Sequence, residues 1–513
     1  MNLVGFGLTL HDSSVAAYKD GKFLYRKAER QFNQKHAYAG MDWALSVLKE
    51  WDIQEYESAE STWLPGKNPQ KIKDGNKLDH HYSHLLSSSK KQEANLVLDS
   101  FALGPADNSM SRRLVLPSEF LSKIPPSLRY WRPYTGMIKI GNRQVHRKTD
   151  LGVPTILSAC IGSDEFKHYT HKFEDFIEIS NFHTFTKNLF KNGQHPLFNR
   201  LSDFIDFPGK IMSLQSYGKP KLDLLDKWSQ LGEGKNIKVQ QELLSSNPID
   251  HNLIATAHKF CEIITLEQAE QLPGVFSYSG GVAQNVVINR AMLDAGMQPQ
   301  IDPWAYDGGC SIGALNFLLD KHNIERYADW VQDDEAPEDE PDVWTTIEVA
   351  QLIADNKVVG WYQGNGEVGP RALGNRSILY NPADKNAKDK VNKIKQREWW
   401  RPFGASVTEE EASQFFDIPK SRHMLFNSKV LYSGIPGVTH VDGTCRHQTV
   451  PSSDNPFYFL LEYVKLETGL PIVLNTSLNA RGKPICSTIE QALDIFKTTE
   501  MDAICIGNKV YKK

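Results

Sequence analysis

Two periodicities alternate along the chain. Short apolar runs that repeat every second residue are interleaved with longer stretches of helical period, which predicts helices packed on a mixed sheet, an α/β fold. Near the amino-terminal end, residues 3–8, 14–18 and 23–26 read as three β runs, and Asp20-Gly21 suits a type I′ hairpin because both positions accept positive φ. Met41–Glu50 and residues 253–270 carry helical periodicity. Leu96-Val97-Leu98 and Val275-Phe276-Ser277-Tyr278 end at polar or glycine-rich turns, as buried strands do.

The pattern breaks at residues 331–342, VQDDEAPEDEPD, where seven acidic residues and two prolines can neither bury nor continue a helix. This run predicts a linker, with an acidic surface loop as the alternative, and it divides the chain into domains 1–330 and 343–513. Beyond it, Thr345-Thr346-Ile347-Glu348 has the spacing of a capping box that opens a helix through Ala354, and a strand is expected at 358–362. The second domain is therefore also α/β.

Composition narrows the class. The 513 residues carry 58 Lys+Arg against 62 Asp+Glu, a net charge of −4, with 40% hydrophobic residues, so a disordered or globally basic protein is excluded. Any nucleic-acid contact has to be a local patch. No apolar stretch approaches the ~20 residues of a membrane span. Met1-Asn2-Leu3-Val4-Gly5-Phe6-Gly7 lacks a basic leader, which sets the expectation of a cytoplasmic protein without a membrane partner. Six cysteines without a C-x-x-C pair read as reduced, buried small side chains.

Candidate chemistry sits at predicted strand ends and helix starts. In LDHHYSHLLSS, His80 and His84 fall at i and i+4 if the segment is helical, a spacing that presents two imidazoles to one metal ion; a metal-free helix-end pair is the alternative. Asp99, after the 96–98 run, and Asp307, before Gly308-Gly309, are the carboxylates that complete such a site, and two His with one or two Asp suit Fe(II), Mn(II) or Zn(II). Ser279-Gly280-Gly281-Val282-Ala283-Gln284-Asn285 joins a strand to a helix, so Gly280, Gly281 and Asn285 are candidate nucleotide contacts, with a ligand-free tight turn as the alternative. His11-Asp12 at the first β turn offers a base or a phosphate-orienting group.

The second domain is richer in cations. Arg371 and Arg376 in GPRALGNRSIL, then Lys393, Lys395, Arg397, Arg401 and Arg446, lie near turns rigidified by Gly and Pro, and fixed guanidinium forks suit a phosphate or acyl-phosphate ligand. Asn475 and Ser477 follow a strand-like run at 472–474, and a further strand-like run is expected at 438–441.

Together these motifs resemble the O-carbamoyltransferases related to nodulation-factor, aminoglycoside and cephalosporin carbamoyltransferases. GPRALGNRSIL, REWWRPFGASV, THVDGTCRHQTV and VLNTSLNARGKPI carry the resemblance, which runs from His11-Asp12-Ser13 to Gly507. It implies an amino-terminal actin-like ATPase domain, similar to the enzyme that transfers threonylcarbamoyl to tRNA, followed by a smaller YrdC-like domain similar to threonylcarbamoyl-AMP synthase. It also implies two steps: carbamoyl phosphate and ATP give carbamoyl-adenylate, and the carbamoyl group then passes to a hydroxyl. Arg371 and Lys395 match catalytic positions, and Arg376, Arg401, Arg446, Asn475 and Ser477 match positions that hold carbamoyl phosphate and nucleotide. His80, His84, Asp99 and Asp307 match the metal site, with Fe(II) expected there and Mg(II) accompanying ATP, while His11 with Asp12 matches the general base. Two departures stand out: Ser100-Phe101-Ala102-Leu103 follows Asp99 where the family has glycine, and Phe207-Pro208-Gly209-Lys210 lacks the family's acid.

The acceptor is read from a local reversal of charge. Residues 112–148 hold nine Arg/Lys (Arg112, Arg113, Lys123, Arg129, Arg132, Lys139, Arg143, Arg147, Lys148) against one acid, Glu119, with Tyr130, Trp131 and Tyr134 interleaved. Phosphate-neutralising cations with stacking aromatics are a nucleic-acid footprint; a basic surface insertion is the alternative. The family includes members, notably viral, that modify hydroxymethylpyrimidines in DNA. The expected acceptor is therefore 5-hydroxymethylcytosine in DNA, contacted by Arg112, Arg113, Arg129, Tyr130, Trp131 and Arg132, with a small natural-product or sugar alcohol as the alternative.

Overall fold

The structure, a computed structural model, describes residues 1–8, 12–37, 39–62, 75–104, 132–140, 143–147, 209, 212–230, 250–453 and 455–513. It divides into two compact units, one of Met1–Phe23 with His36–Ala328 and one of Leu24–Lys35 with Asp329–Lys513. Both are mixed α/β, as the alternating periodicities require.

In the first unit the expected hairpin forms, with Asp20 at φ 50° and Gly21 at φ 85°, both left-handed as a type I′ turn needs. One sheet includes the neighbouring strands Ser14–Lys19, Asn2–Gly7, Glu57–Thr62 and Gly75–Asp79, in that order. Asn2–Gly7 is antiparallel to Ser14–Lys19 and parallel to Glu57–Thr62. The second sheet runs Gln298–Gln300, Val275–Ser279, Ala94–Gly104, Arg132–Ile140, Arg143–Arg147, with the Ala94–Gly104 strand parallel to Val275–Ser279. The helix Cys310–Lys321 packs against the first sheet on one side and the helix His80–Leu86 on the other. Gly313 makes this closeness attainable, since a Cβ there would lie 1.9 Å from the Ser83 carbonyl oxygen.

The second unit is built on a seven-stranded sheet of order His447–Val450, Gly404–Thr408, Ile472–Ser477, Arg376–Tyr380, Val359–Tyr362, Ala503–Ile506, Lys509–Lys512. Period-two burial divides its strands between two cores. Tyr362, Ile378, Tyr380, Ile472, Leu474 and Ile504 point to one face, and Val359, Trp361, Leu379, Val473, Ala503 and Cys505 to the other. Helices Ala387–Lys395 and Ile489–Thr498 contribute to the first core, Val343–Ala354 and Pro456–Thr468 to the second.

Three boundaries differ from the sequence expectation. The acidic run at 331–342 is packed within the second unit: Val331–Gln332 pairs with Gly366–Glu367, Gln332 is buried, and the Glu335 carbonyl accepts from Tyr362 Oη at 2.5 Å. Its acids find specific donors, Glu335 Oε2 accepting from Ile489 N at 2.9 Å and Asp334 lying 3.6 Å from Arg30. The helix Val343–Ala354 starts before the expected capping box, because Asp342 caps it by accepting from Thr345 N at 2.8 Å. Leu24–Lys35, read with the first domain, belongs to the second unit: buried Arg30 donates to the carbonyls of Glu367 at 3.2 Å, Gly369 at 3.3 Å and Ile485 at 3.4 Å. The run at 438–441 is a turn rather than a strand.

His447 is fully buried and stacked on Phe416 with ring centroids 4.1 Å apart, and burial lowers its pKa from 6.5 to about 4. A depressed histidine contributes stability that is complete above 6.5 and lost as pH falls through that value toward 4. The unfolding midpoint is expected to drop across this window, and His447→Phe to flatten the drop; an equal pH slope in the variant would contradict this assignment.

Candidate functional site

The metal candidates converge in the first unit. Asp79 caps the helix His80–Leu86 by accepting from Tyr82 N at 3.2 Å, and the helix then carries His80 and His84 one turn apart, both buried. Asp99 comes from the strand Ala94–Gly104, and Asp307 from the short 3₁₀ turn Asp307–Gly309 that leads into the helix Cys310–Lys321. His80 Nε2 lies 3.0 Å from Asp99 Oδ2 and 3.8 Å from Asp307 Oδ1, and His84 Nε2 lies 3.3 Å and 3.4 Å from the same two oxygens. One donor atom from each of the four falls within 4.8 Å of all the others.

These separations fit one cation. Ligand atoms ~2.1 Å from a shared ion are ~3.4 Å apart in a tetrahedron and ~3.0 Å apart at the edges of an octahedron. The electrostatics have the same sense. Burial disfavours charge on His80, but Cys310, Asp307 and Asp99 outweigh it and raise the ring to about 10, and His84 is likewise held well above its usual value. Burial raises Asp99, yet hydrogen bonds from His80 and His84 hold it well below the usual carboxylate range. The two buried carboxylates thus favour positive charge at this position.

The glycine turn positions this centre. Gly280 has φ 95°, and a Cβ there would lie 2.1 Å from the Leu98 carbonyl oxygen; Gly281 N donates to Asp99 Oδ1 at 3.2 Å, leaving Oδ2 toward the histidines. Gly280→Ala is expected to cost about 2 kcal/mol or more of stability through that contact and the strained backbone, measured by denaturant unfolding. An unchanged midpoint would contradict it. Asn285, expected as a nucleotide contact, is instead a helix cap: its Oδ1 accepts from Val287 N and Ile288 N, both at 3.2 Å, and its amide lies 3.0 Å from His258 Nε2. Asp12 is buried at φ 56° with Oδ2 2.9 Å from His36 Nδ1. His11, Arg112, Arg113, Arg129, Tyr130 and Trp131 lie outside the described residues, and Arg132 opens the strand Arg132–Ile140.

In the second unit the cations separate into two kinds. Lys395, near the end of its helix, is buried and contacts only neutral oxygens: the Ser477 carbonyl at 2.5 Å, Ser477 Oγ at 3.3 Å, the Asn479 carbonyl at 3.2 Å, and Asn479 Oδ1. Burial, then the charges of Arg397, Lys35 and Arg401, depress its pKa well below the ordinary value. Burial likewise lowers Arg397 and Arg446, with Arg401 adding to the effect on both and Arg446 pushed to about 10. Among the described residues, Lys395, Arg397 and Arg446 form no ion pair with a carboxylate; Arg401 has Glu398 at 3.5 Å. Asn475 is buried, donates to Ser406 Oγ at 2.9 Å and to the Ala372 carbonyl at 3.3 Å, and among the described residues its Oδ1 has no hydrogen-bond partner.

Arg376, expected to bind ligand, is of the other kind. Its guanidinium stacks 3.6 Å over the Tyr362 ring and donates to the carbonyls of Gln363, Gly364 and Glu335 at 2.6, 2.9 and 2.9 Å, so its forks hold loops. Lys393 faces solvent with Glu500 at 2.6 Å. Glu367 anchors the motif loop by accepting from the N–H groups of Leu373, Asn375 and Arg376 at 2.7, 2.9 and 3.2 Å, and Arg371 in that loop is half-buried. Sequence reasoning missed Cys310, treated as a small apolar residue: its Sγ lies 3.7 Å from His80 Nδ1 and 3.6 Å from His84 Nε2. Its position three residues after Asp307, at the start of a helix, was the available signal.

Among the described residues no helix is long and apolar enough to cross a membrane. Comparison with known proteins places these sites in a lineage. The family model described as Carbamoyltransferase C-terminus matches residues 350–513, which contain the second unit's cation cluster. The nodulation protein NolNO of Sinorhizobium fredii is 34% identical over 357 residues, 59% of this chain and 52% of that protein. An uncharacterized protein of Methanocaldococcus jannaschii is 30% identical over 356 residues, 60% of this chain and 68% of its own length. The 3'-hydroxymethylcephem-O-carbamoyltransferase of Amycolatopsis lactamdurans is 30% identical over 271 residues, 50% of this chain and 51% of that enzyme. The matched region thus spans about half to two-thirds of these relatives' lengths. With the family model over the cation cluster and relatives matched at this level, the chain belongs to the carbamoyltransferase family.

Proposed function

We propose that the protein is an ATP-dependent O-carbamoyltransferase. The observation that carries this reading is the group of Lys395, Arg397 and Arg446, buried or half-buried cations that form no ion pair with a carboxylate among the described residues. Uncompensated cations at this density call for an anionic ligand. In this reading carbamoyl phosphate reacts with water to release phosphate, and the carbamate oxygen attacks the α-phosphorus of ATP. The bond to pyrophosphate breaks and carbamoyl-adenylate forms. Lys395, Arg397, Arg401 and Arg446 neutralise the charge gathered on the phosphoryl oxygens, and Arg371 lies in the loop that Glu367 fixes. The Asn475 amide oxygen is suited to accept from the carbamoyl NH2 group.

The first unit is the transfer site in this proposal, on an actin-like scaffold, with a YrdC-like second unit. The acceptor hydroxyl attacks the carbamoyl carbon, AMP leaves, and His11 with Asp12 takes the hydroxyl proton. His80, His84, Asp99 and Asp307 would hold a divalent transition ion, Fe(II) being favoured. Such an ion, when bound, supplies positive charge beside an oxyanion. ATP enters with Mg(II).

The favoured acceptor is 5-hydroxymethylcytosine in DNA, supported by the nine cations and interleaved aromatics at 112–148. A base acted on this way has to be flipped or single-stranded. A small-molecule alcohol is the second reading, favoured by the relative named for a hydroxymethylcephem. Protein incubated with ATP, carbamoyl phosphate and DNA bearing the hydroxymethylated base, followed by mass spectrometry of the digested DNA, tests the choice. One added carbamoyl group, dependent on both co-substrates, is expected. Unmodified DNA alongside carbamoylation of a small alcohol would reject the DNA acceptor.

A further inference from the structure

Gln448, Ser406 and Asn475 form a chain of buried polar side chains across three neighbouring strands, His447–Val450, Gly404–Thr408 and Ile472–Ser477. We propose that Ser406 and Gln448 are positioning residues that hold the Asn475 amide with its oxygen toward the acyl group, so that the site selects an acyl phosphate bearing NH2 over one bearing a methyl group. The inference rests on the carbamoyl-activating reading of the second unit and adds the residues that set its selectivity.

The direction of each hydrogen bond along the chain follows from two backbone carbonyls, which can only accept. Gln448 Nε2 donates to the Leu373 carbonyl at 2.8 Å, and this fixes Gln448 Oε1 toward Ser406, whose hydroxyl donates to it at 2.7 Å. A hydroxyl has a single proton to give, so Ser406 Oγ is left to accept from Asn475 Nδ2 at 2.9 Å. The Ala372 carbonyl takes the other N–H of Asn475 at 3.3 Å. Both amide protons are then committed, and the opposite orientation would set Asn475 Oδ1 against a carbonyl oxygen. What remains is an oxygen that can only accept, and among the described residues it has no hydrogen-bond partner.

Each other side-chain nitrogen or oxygen of the three residues has a partner, and a network that served packing alone would gain nothing from leaving one buried acceptor open. Ser477 lies two residues further along the same strand, hence on the same face as Asn475, and its Oγ accepts from Lys395 Nζ at 3.3 Å. The open oxygen is therefore on the strand face that leads to Lys395. Leu373 N donates to Glu367 Oε1 at 2.7 Å, so the loop that supplies both carbonyls is itself anchored. An NH2 group meets Asn475 Oδ1 as a donor, whereas a methyl group of similar size leaves that oxygen desolvated and unpaired.

Acetyl phosphate, which carries CH3 where carbamoyl phosphate carries NH2, is the probe. Full-length protein is assayed for pyrophosphate release from ATP with each acyl phosphate, and the ratio of the two kcat/KM values is the readout, because damage to folding lowers both alike. The wild type is expected to favour carbamoyl phosphate by ~10²-fold or more. Ser406→Ala and Gln448→Leu, which free the Asn475 amide to turn, are expected to reduce that ratio by ~10-fold or more, and Ser406→Thr, which keeps the hydroxyl, to retain it. A ratio unchanged in Ser406→Ala and Gln448→Leu would overturn the positioning role and leave carbamoyl activation standing. A wild type that uses both acyl phosphates equally, a measurement that needs no variant to fold, would overturn selection at Asn475. No pyrophosphate release dependent on carbamoyl phosphate would overturn the activation reading and this proposal with it.

Discussion

Lys395→Met is expected to lower carbamoyl-phosphate-dependent turnover of ATP by ~10²- to 10³-fold, the loss typical of removing one preorganised group from charge developing in a transition state. Methionine keeps most of the lysine stem, so the change isolates the charge. Lys395 is buried with like charges around it and only neutral oxygens as partners, so its ammonium is held in an unfavourable place until an anion arrives. Its hydrogen bonds to Ser477 and Asn479 also tie it to the strand end, so loss of the amine leaves those acceptors without this donor. A ligand-facing role predicts a loss of turnover, measured where the variant is folded, far larger than its drop in unfolding midpoint accounts for. Steady-state kinetics with pyrophosphate release as readout decides it, and a variant with wild-type turnover would remove Lys395 from the site.

The second large effect is expected at His84. His84→Ala takes away the imidazole nitrogen closest to Asp307 and leaves Asp99 and Asp307 buried with one fewer nitrogen partner. Metal content measured after dialysis is expected to fall below a tenth of the wild-type value, and carbamoyl transfer to fall by ~10²-fold or more. The adenylate-forming half-reaction, assigned to the other unit, is expected to persist. Equal loss of both half-reactions would contradict that division of labour.

Features whose causes are local could be read in the sequence. The i, i+4 spacing of His80 and His84 needs only a helix, the Asp20-Gly21 turn needs only two residues at positive φ, and Met41–Glu50 ends where its periodicity does. Asp99 and Asp307 were placed at the centre from strand-end and turn positions, and both lie within 4 Å of a histidine nitrogen. Features that depend on packing between distant segments were not legible. Nothing near Cys310 in sequence shows that its helix lies against the histidine helix. Arg376 sits in the same motif as Arg371, and only the fold shows that its donors are taken up by Gln363, Gly364 and Glu335. The acidic run at 331–342 looked unable to bury because composition does not reveal that Arg30, about three hundred positions earlier, supplies a counter-charge to Asp334. Asn285 was read as a ligand contact when its side chain caps the helix that follows.

Activation of a carbamoyl group with ATP is the step on which the proposed chemistry depends. Its most direct test is to incubate the protein with ATP and follow AMP and pyrophosphate with and without carbamoyl phosphate. Pyrophosphate release that requires carbamoyl phosphate and is lost in Lys395→Met is the expected result. ATP left intact in the presence of carbamoyl phosphate, or hydrolysed to ADP regardless of it, would contradict carbamoyl activation by this chain.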